Sequence, residues 1–551
     1  MALSTTNKEI LEKAVNAIHE RIFHAQYPEH PKAYSEEASA KGKEAFDKKI
    51  GQPFDELLQE NPESYVGEEV SPFTEESLGI QYPAFSVDTF IVRSGRAFSS
   101  WKKVDIEQKA EVLMDCLEAI TDRFFEIAFA TMHTTGQSFM MSFQASGPHS
   151  NDRALEAMAL AYEELKRFPQ KVLWEKPMGK ISVKLEKTFK PVPKGISLAI
   201  GCSTFPVWNT IPGVFASLMT GNTVIVKPHP KAVLPIAIVV GEMQKVLKAK
   251  GYDPLVIQLA ADRSQELITK KLAEHPLVKI IDYTGGSQFG EYIETLRKTV
   301  FTEKAGVNSA IIDSTDNLES MMQNLAFAVS LYSGQMCTAP QNFFIPKEGI
   351  KVGENQVSYD EVVDALKNAI DGLVNHPKMG AGTLGAIQSD MTMKRISSAE
   401  DLGARVVLGA RKIENPEFLK ARVSAPTILE VDAKDVGIYE NEMFGPIIMV
   451  VKTTDTNESI EVAKDMATRH GAITCAAYST DPATIEKIEE EMSSAFAPVS
   501  LNLTGPIWVN QHAAFSDFHV TGGNPAGNAS FTNPDFVNRR FVWVGNRKIA
   551  E

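Results

Sequence analysis

A chain of 551 residues is too long for one small domain, and its 43% hydrophobic and 23% charged residues are those of a globular protein. Its formal net charge of −14 argues against nucleic acid or an anionic membrane as the main partner, since both are held by clustered cations. Four widely spaced cysteines (Cys116, Cys202, Cys337 and Cys475), with no CxxC pair, argue against a disulfide framework or a bound metal and favour a reducing, cytoplasmic setting.

The first 23 residues carry Glu9, Glu12 and Glu20 and lack a continuous apolar stretch, so they do not read as a targeting signal. No apolar run approaches the ~18 residues that cross a bilayer. An amphipathic helix is expected over residues 7–23, within an extended arm or cap at 1–87. Compact structure is expected from about Asp88. Leu113, Leu117, Ile120, Phe124 and Ile127 recur at helical spacing and predict one helix over 112–128, preceded by Asp105 and Gln108 as a capping-box-like pair. Residues 171–190 read as a hairpin turning at 177–179. Strands then follow at 195–201, 223–226, 255–259 and 278–283. Helices alternate with them, one running through Phe215 and ending at Gly221–Asn222, then 234–250 and 264–275. Repeated strand–helix–strand units predict an α/β fold with a parallel sheet covered by helices. A second α/β unit is expected from about Val300, with a strand at 309–313 and a helix at 317–332. The tail at 517–533 is rich in Gly, Asn, Ser and Thr, and a short apolar run, 541–544, lies near the end.

Four local features carry chemistry. Gly221-Asn222-Thr223-Val224-Ile225-Val226-Lys227-Pro228 is a strand ending in lysine, and ligands of open α/β sheets bind beyond the carboxyl ends of strands. Lys227 can reach a ribose or phosphate there, although such a lysine taken alone reads as a solvated surface residue. Tyr283-Thr284-Gly285-Gly286-Ser287-Gln288-Phe289-Gly290 joins a strand to a helix. Gly285, Gly286, Ser287 and Gly290 would let backbone approach a dinucleotide at a helix N-terminus, or simply form a tight turn. Third, Phe301-Thr302-Glu303-Lys304-Ala305-Gly306 precedes Gly334-Gln335-Met336-Cys337-Thr338-Ala339. A free thiol, of pKa about 8.5, is only a few per cent thiolate at neutral pH, so Cys337 needs help that a carboxylate such as Glu303 can give, to the thiol or to water. Cys116 and Cys475 suit the alternative of a small buried hydrophobe. Fourth, in Glu442-Met443-Phe444-Gly445-Pro446 the carboxylate can accept from ribose hydroxyls and the ring can pack on a nicotinamide.

In this order the four features resemble the aldehyde dehydrogenase superfamily over roughly residues 88–510. The resemblance implies a dinucleotide-binding domain at 88–170 and 191–302, a catalytic domain at 303–533, and a small β oligomerisation element at 171–190 and 534–551. It implies a homodimer or homotetramer acting on a small-molecule aldehyde. Cys337 would attack the aldehyde and carry the thioester, and Glu303 would activate water. Lys227 and Glu442 would hold the riboses, Phe444 the nicotinamide, and residues 285–290 the pyrophosphate. The family places an Asn as oxyanion donor where this chain, matched without gaps, has Thr204; Asn209 comes five residues later, on the next helical turn or beyond. NAD-selective members carry an acid three positions after the strand-end lysine. Pro230 stands there instead, which implies NADP used at least as well as NAD. The arm, the Lys227-Pro228-His229-Pro230 segment and the tail from Ser516 to Asn528 resemble PaaN-type phenylacetic acid degradation proteins. That implies a CoA-linked semialdehyde as substrate. A CoA-acylating dehydrogenase is the main alternative, disfavoured by Glu303. A non-catalytic member is disfavoured by the intact Cys337, Glu303 and Glu442 set.

Overall fold

The computed structural model describes residues 3–505, 507 and 514–550. Two sheets organise the chain. The first has five parallel strands in the order Ile257–Leu259, Thr223–Lys227, Ile196–Ile200, Val278–Thr284 and Thr299–Glu303. Ile196–Ile200 and Thr223–Lys227 are buried at every position, as expected of apolar strands covered by helices on both faces. The second sheet has seven strands, in the order Arg405–Leu408, Thr427–Asp432, Ile447–Thr453, Asn342–Pro346, Ser309–Ile312, Cys475–Tyr478 and Val499–Leu501. Only the Arg405–Leu408 edge is antiparallel. Both α/β units are therefore present.

Local chemistry explains where the elements depart from the periodicity. The helix expected over 112–128 is two helices, Ile106–Thr121 and Phe124–Thr135. Between them Arg123 leaves helical geometry, and its guanidinium donates to Glu126 (2.6 Å), Glu56 (3.0 Å) and Glu242 (2.7 Å). Asp105 caps the first helix by accepting from Glu107 N at 2.9 Å. The helix expected over 264–275 shortens to Thr269–Glu274, because Asp262 Oδ2 accepts the Ile268 N–H at 3.0 Å and holds the preceding loop. The helix expected through Phe215 and ending at Gly221–Asn222 begins only at Ile211 and runs to Met219, which leaves 201–210 as a loop.

Residues 3–87 are not a detached arm. Leu11, Ala14 and Ile18 of the helix Thr5–Glu20 share one core with Leu117 and Phe124, and that helix packs on Pro148–Lys166. Leu234–Ala249 has no side-chain cap of its own. The buried Glu69 supplies one, accepting from Val233 N at 2.6 Å and Leu234 N at 2.8 Å. The hairpin pairs Lys171–Met178 with Ile181–Pro193, and the C-terminal strand Phe541–Ile549 adds to it as a third strand. Its turn falls at Gly179, with φ 65°, at the end of the expected 177–179, because Pro177 and Met178 keep their strand pairing. Among the described residues no helix is long and apolar enough to cross a membrane.

Candidate active site

The site lies where the two sheets meet. Glu303 is the last residue of Thr299–Glu303, at the carboxyl edge of the first sheet. Cys337 follows the helix Leu318–Ser330 and a tight turn, Leu331–Gly334, in which Tyr332, Ser333 and Gly334 have φ of 53°, 51° and 63°. Three successive left-handed residues are costly and persist only where neighbours hold them. Tyr332 OH donates to Thr135 O at 2.7 Å, and Ser333 Oγ to Leu384 O at 3.0 Å. Gly334 is also required by packing: a Cβ there would lie 2.5 Å from Gly445 O. Asn308 Nδ2 then fixes the Cys337 carbonyl at 2.7 Å.

The Gly- and Asn-rich tail closes the site from the other side. Lys304 N donates to Ala526 O at 2.6 Å, and Asn528 N to Thr302 O at 3.2 Å. Asn528 Oδ1 accepts from Thr302 N at 2.9 Å. A Cβ on Gly527 would meet Thr302 O at 2.7 Å. The tail's composition is thus that of a backbone laid tightly along the Glu303 strand, and it delivers His519 to the site. His519 Nε2 lies 3.8 Å from Cys337 Sγ and 3.3 Å from Glu303 Oε1. Asn209 Nδ2 donates to the other carboxylate oxygen, Glu303 Oε2, at 2.9 Å.

Electrostatics separate the two reacting groups. Burial pushes the Cys337 thiol well above its ordinary value, and the Glu303 carboxylate pushes it the same way. Burial also opposes the charge on Glu303, but His519, Arg153 and the Cys337 thiol outweigh it and hold the carboxyl below its ordinary range. Glu303 is a carboxylate at neutral pH, and Cys337 without a proton acceptor is a poor nucleophile.

A cleft of about 1000 Å³ opens onto this pair. Thr204, Asn209, Gly285, Gly286, Glu442 and Phe444 share its walls with Cys337 and Glu303. Gly286 has open space where a Cβ would stand and precedes the helix Ser287–Glu294, which has no side-chain cap, so no side-chain acceptor occupies its N-terminus, where an anion is favoured. Burial raises Glu442 to about 7. These features are of the kind a dinucleotide site requires.

Other expected residues stand elsewhere. Lys227, Pro230, Ser287 and Gly290 are not on the cleft walls. Lys227 is buried, with Nζ 2.7 Å from Asp262 Oδ1 and donating to Pro228 O at 2.5 Å. Gly290 serves packing: a Cβ there would lie 2.5 Å from the Lys304 side chain. Thr204 lines the cleft, but its hydroxyl is directed to Cys202 Sγ at 3.7 Å. Asn209, set aside in the sequence as too late, reaches the site because 201–210 is a loop rather than a helix.

The aldehyde dehydrogenase family model matches residues 61–529. The chain belongs to the aldehyde dehydrogenase family. Membership makes it an oxidoreductase that acts on aldehydes with a nicotinamide cofactor. The crystal structure of an NAD-dependent aldehyde dehydrogenase from Burkholderia multivorans is 42% identical, with a TM-score of 0.97 over 100% of both chains. A 1-pyrroline-5-carboxylate dehydrogenase of Halalkalibacterium halodurans is 24% identical over 87% of this chain and 92% of its own. An acylating, mitochondrial methylmalonate-semialdehyde/malonate-semialdehyde dehydrogenase of Mus musculus is 24% identical over 76% of this chain and 75% of its own.

Proposed function

We propose that this family member oxidises an aldehyde to the free acid through a thioester on Cys337. The observation that carries the reading is the convergence of the Cys337 thiol and the buried Glu303 carboxylate at the floor of a cleft that Glu442 and Phe444 also line. Cys337 Sγ attacks the aldehyde carbon. The oxyanion so formed is met by the Cys337 N–H and a side chain, for which Asn209, with a second Nδ2 hydrogen beside the one given to Glu303, is the donor at hand; Thr204 would have to turn its hydroxyl away from Cys202 Sγ. One such donor is worth roughly 3–4 kcal/mol in the transition state. A bound nicotinamide supplies the hydride acceptor. Glu303 takes a proton from the water that releases the acid, which favours hydrolysis over acyl transfer to CoA. Cys337→Ser tests the reading: steady-state formation of reduced cofactor should fall by at least ~1000-fold while cofactor still binds. Retention of substantial activity would transfer the role to another thiol, with Cys202 next in reach.

The cofactor preference turns on charge. The expectation of NADP rested on Pro230 and on lysines near it. Both lysines have carboxylate partners, Lys227 with Asp262 at 2.7 Å and Lys231 with Asp390 at 3.5 Å. With Lys227 buried against Asp262 and off the cleft walls, it offers no free cation to a 2′-phosphate, so NAD is proposed as the better cofactor, in keeping with the NAD-dependent Burkholderia multivorans relative. A higher kcat/KM for NADP than for NAD would overturn this.

The substrate reading comes from a second cavity of about 500 Å³ behind Cys337. Its described walls include Met141, Ala145, Phe205, Trp208 and Met336, with His149 at one side held by Glu29 at 2.8 Å. These walls favour an aldehyde whose adjoining group is apolar or aromatic. The narrower reading, a CoA-linked semialdehyde of phenylacetate breakdown, rests on the likeness of the arm and tail to PaaN-type proteins. Comparing aromatic, aliphatic and CoA-linked aldehydes separates the two. Activity confined to CoA-linked aldehydes supports the narrower reading, and activity on free aromatic aldehydes the broader one.

A further inference from the structure

We propose that His519 is the proton carrier of the catalytic cysteine, taking the proton from Cys337 Sγ as the thiol attacks and returning it when the thioester is hydrolysed. This rests on the reading of Cys337 as nucleophile and Glu303 as the base for water.

The geometry is specific. Cys337 Sγ, His519 Nε2 and a Glu303 oxygen all lie within 4.8 Å of one another. His519 is only 5% exposed. Its ring is fixed by two aromatic neighbours, edge-on to Trp208 at 4.9 Å and stacked on Phe531 at 6.1 Å with a 10° tilt. The charged and titratable groups facing it among the described residues are Glu303 on its strand, Cys337 on its turn, and Asp517 on its own segment. Arg153 on the helix Pro148–Lys166 lies over the same two rings, 3.7 Å from the Trp208 centroid and 4.7 Å from that of Phe531.

The chemistry divides the work. If Glu303 deprotonated Cys337 directly, it would become a neutral acid just when hydrolysis needs its base form. A thiolate made beside an ionised Glu303 would instead place two negative charges together in a buried site. A proton on Nε2 lies between Sγ and Oε1 and offsets both. In the attack the S–H bond breaks and an N–H bond forms on Nε2. The sulfur lone pair makes the C–S bond, and the carbonyl π pair moves to oxygen. After the oxidation, water oxygen bonds to the acyl carbon and its proton goes to Glu303. The C–S bond breaks with its electron pair on sulfur, and Nε2 returns its proton to that sulfur. His519 ends as it began, and the proton on Glu303 passes to solvent with the acid product.

The test compares the pH dependence of iodoacetamide labelling, mapped to Cys337, in the wild type and in His519→Gln without cofactor. In the wild type, labelling should persist as a plateau below the pH at which an ordinary thiol ionises, about 8.5. In His519→Gln the plateau should vanish, with Cys337 labelling near neutral pH slowed about 10-fold or more. kcat/KM should fall about 100-fold, within the range for loss of a positioned acid–base group, while cofactor affinity is unchanged. A merely structural role would leave the labelling profile in place, so an unchanged profile in His519→Gln overturns the proposal. Should the variant fail to bind cofactor, the wild-type profile decides: labelling that simply follows an ordinary or higher thiol titration also overturns it. Failure of the underlying reading looks different, because labelling of Cys337 would then leave dehydrogenase activity intact.

Discussion

Glu442 lies on the cleft wall with its carboxyl raised to about 7 by burial, so its charge changes within the neutral range. Ribose hydroxyls donate to the ionised form. Cofactor binding should therefore favour deprotonation, and affinity should rise as pH rises through about 7 and weaken as pH falls below it. Fluorescence titration of the cofactor across that range checks this. Glu442→Gln should bind more weakly and lose the pH dependence, and a variant that keeps it would remove Glu442 from the ribose site. At this scale Cys337, Glu303, Glu442 and Phe444 were legible in the sequence, because each sits in a short motif whose neighbours reveal its setting. His519 was not: it stands 182 positions from Cys337 and 216 from Glu303. Its segment is distinctive in composition, but nothing local shows what a tail of Gly and Asn is laid against. Asn209 was misplaced for another reason. The apolar run after Gly201 was read as helix, whereas the helix starts at Ile211.

Two short elements hold the nucleophile and its base in place, and each can be loosened without touching either group. In the turn Leu331–Gly334, Gly334→Ala puts a side chain on a residue with φ of 63° and drives its Cβ toward Gly445 O. Left-handed backbone at a non-glycine residue costs on the order of 1–3 kcal/mol. The clash adds to that, so both the thermal midpoint and kcat should fall. Asn528→Ala removes the acceptor of Thr302 N, an interior backbone group, and one of two donors to Val300 O, the other being Arg539. Leaving the Thr302 N–H unpaired costs roughly 1–3 kcal/mol. The tail should loosen from the Glu303 strand, and activity should drop further than stability does. Equal activity in the two proteins would separate the tail from the site. Element types were largely visible beforehand from apolar periodicity, strands with fewer errors than helices. The break at Arg123 was not, because two of the three carboxylates that hold its guanidinium, Glu56 and Glu242, are distant in sequence.

For the molecule as a whole, the three-stranded sheet of Lys171–Met178, Ile181–Pro193 and Phe541–Ile549 presents Leu173 (59% exposed), Ile181 (68%) and Val544 (41%) to solvent. Several apolar residues on one small sheet mark an association surface. The assembly is expected to be a homodimer or homotetramer of 60.6 kDa chains by light scattering, and Leu173→Glu should shift it toward monomer. A monomeric wild type would contradict this. The two-sheet plan followed from the repeated strand–helix units, but the fusion of residues 3–87 into the main core did not. That stretch is highly charged, and it packs through a few apolar positions such as Leu11 and Phe46. The plan brings Cys337, in the loop before the strand Asn342–Pro346 of the second sheet, to Glu303 at the edge of the first, and the proposed thioester chemistry depends on that meeting. Intact-mass analysis of Glu303→Gln mixed with aldehyde and cofactor decides it. A stoichiometric burst of reduced cofactor, slow turnover afterwards, and an acyl adduct mapped to Cys337 are expected. Normal turnover, or an adduct on any other residue, would contradict the account.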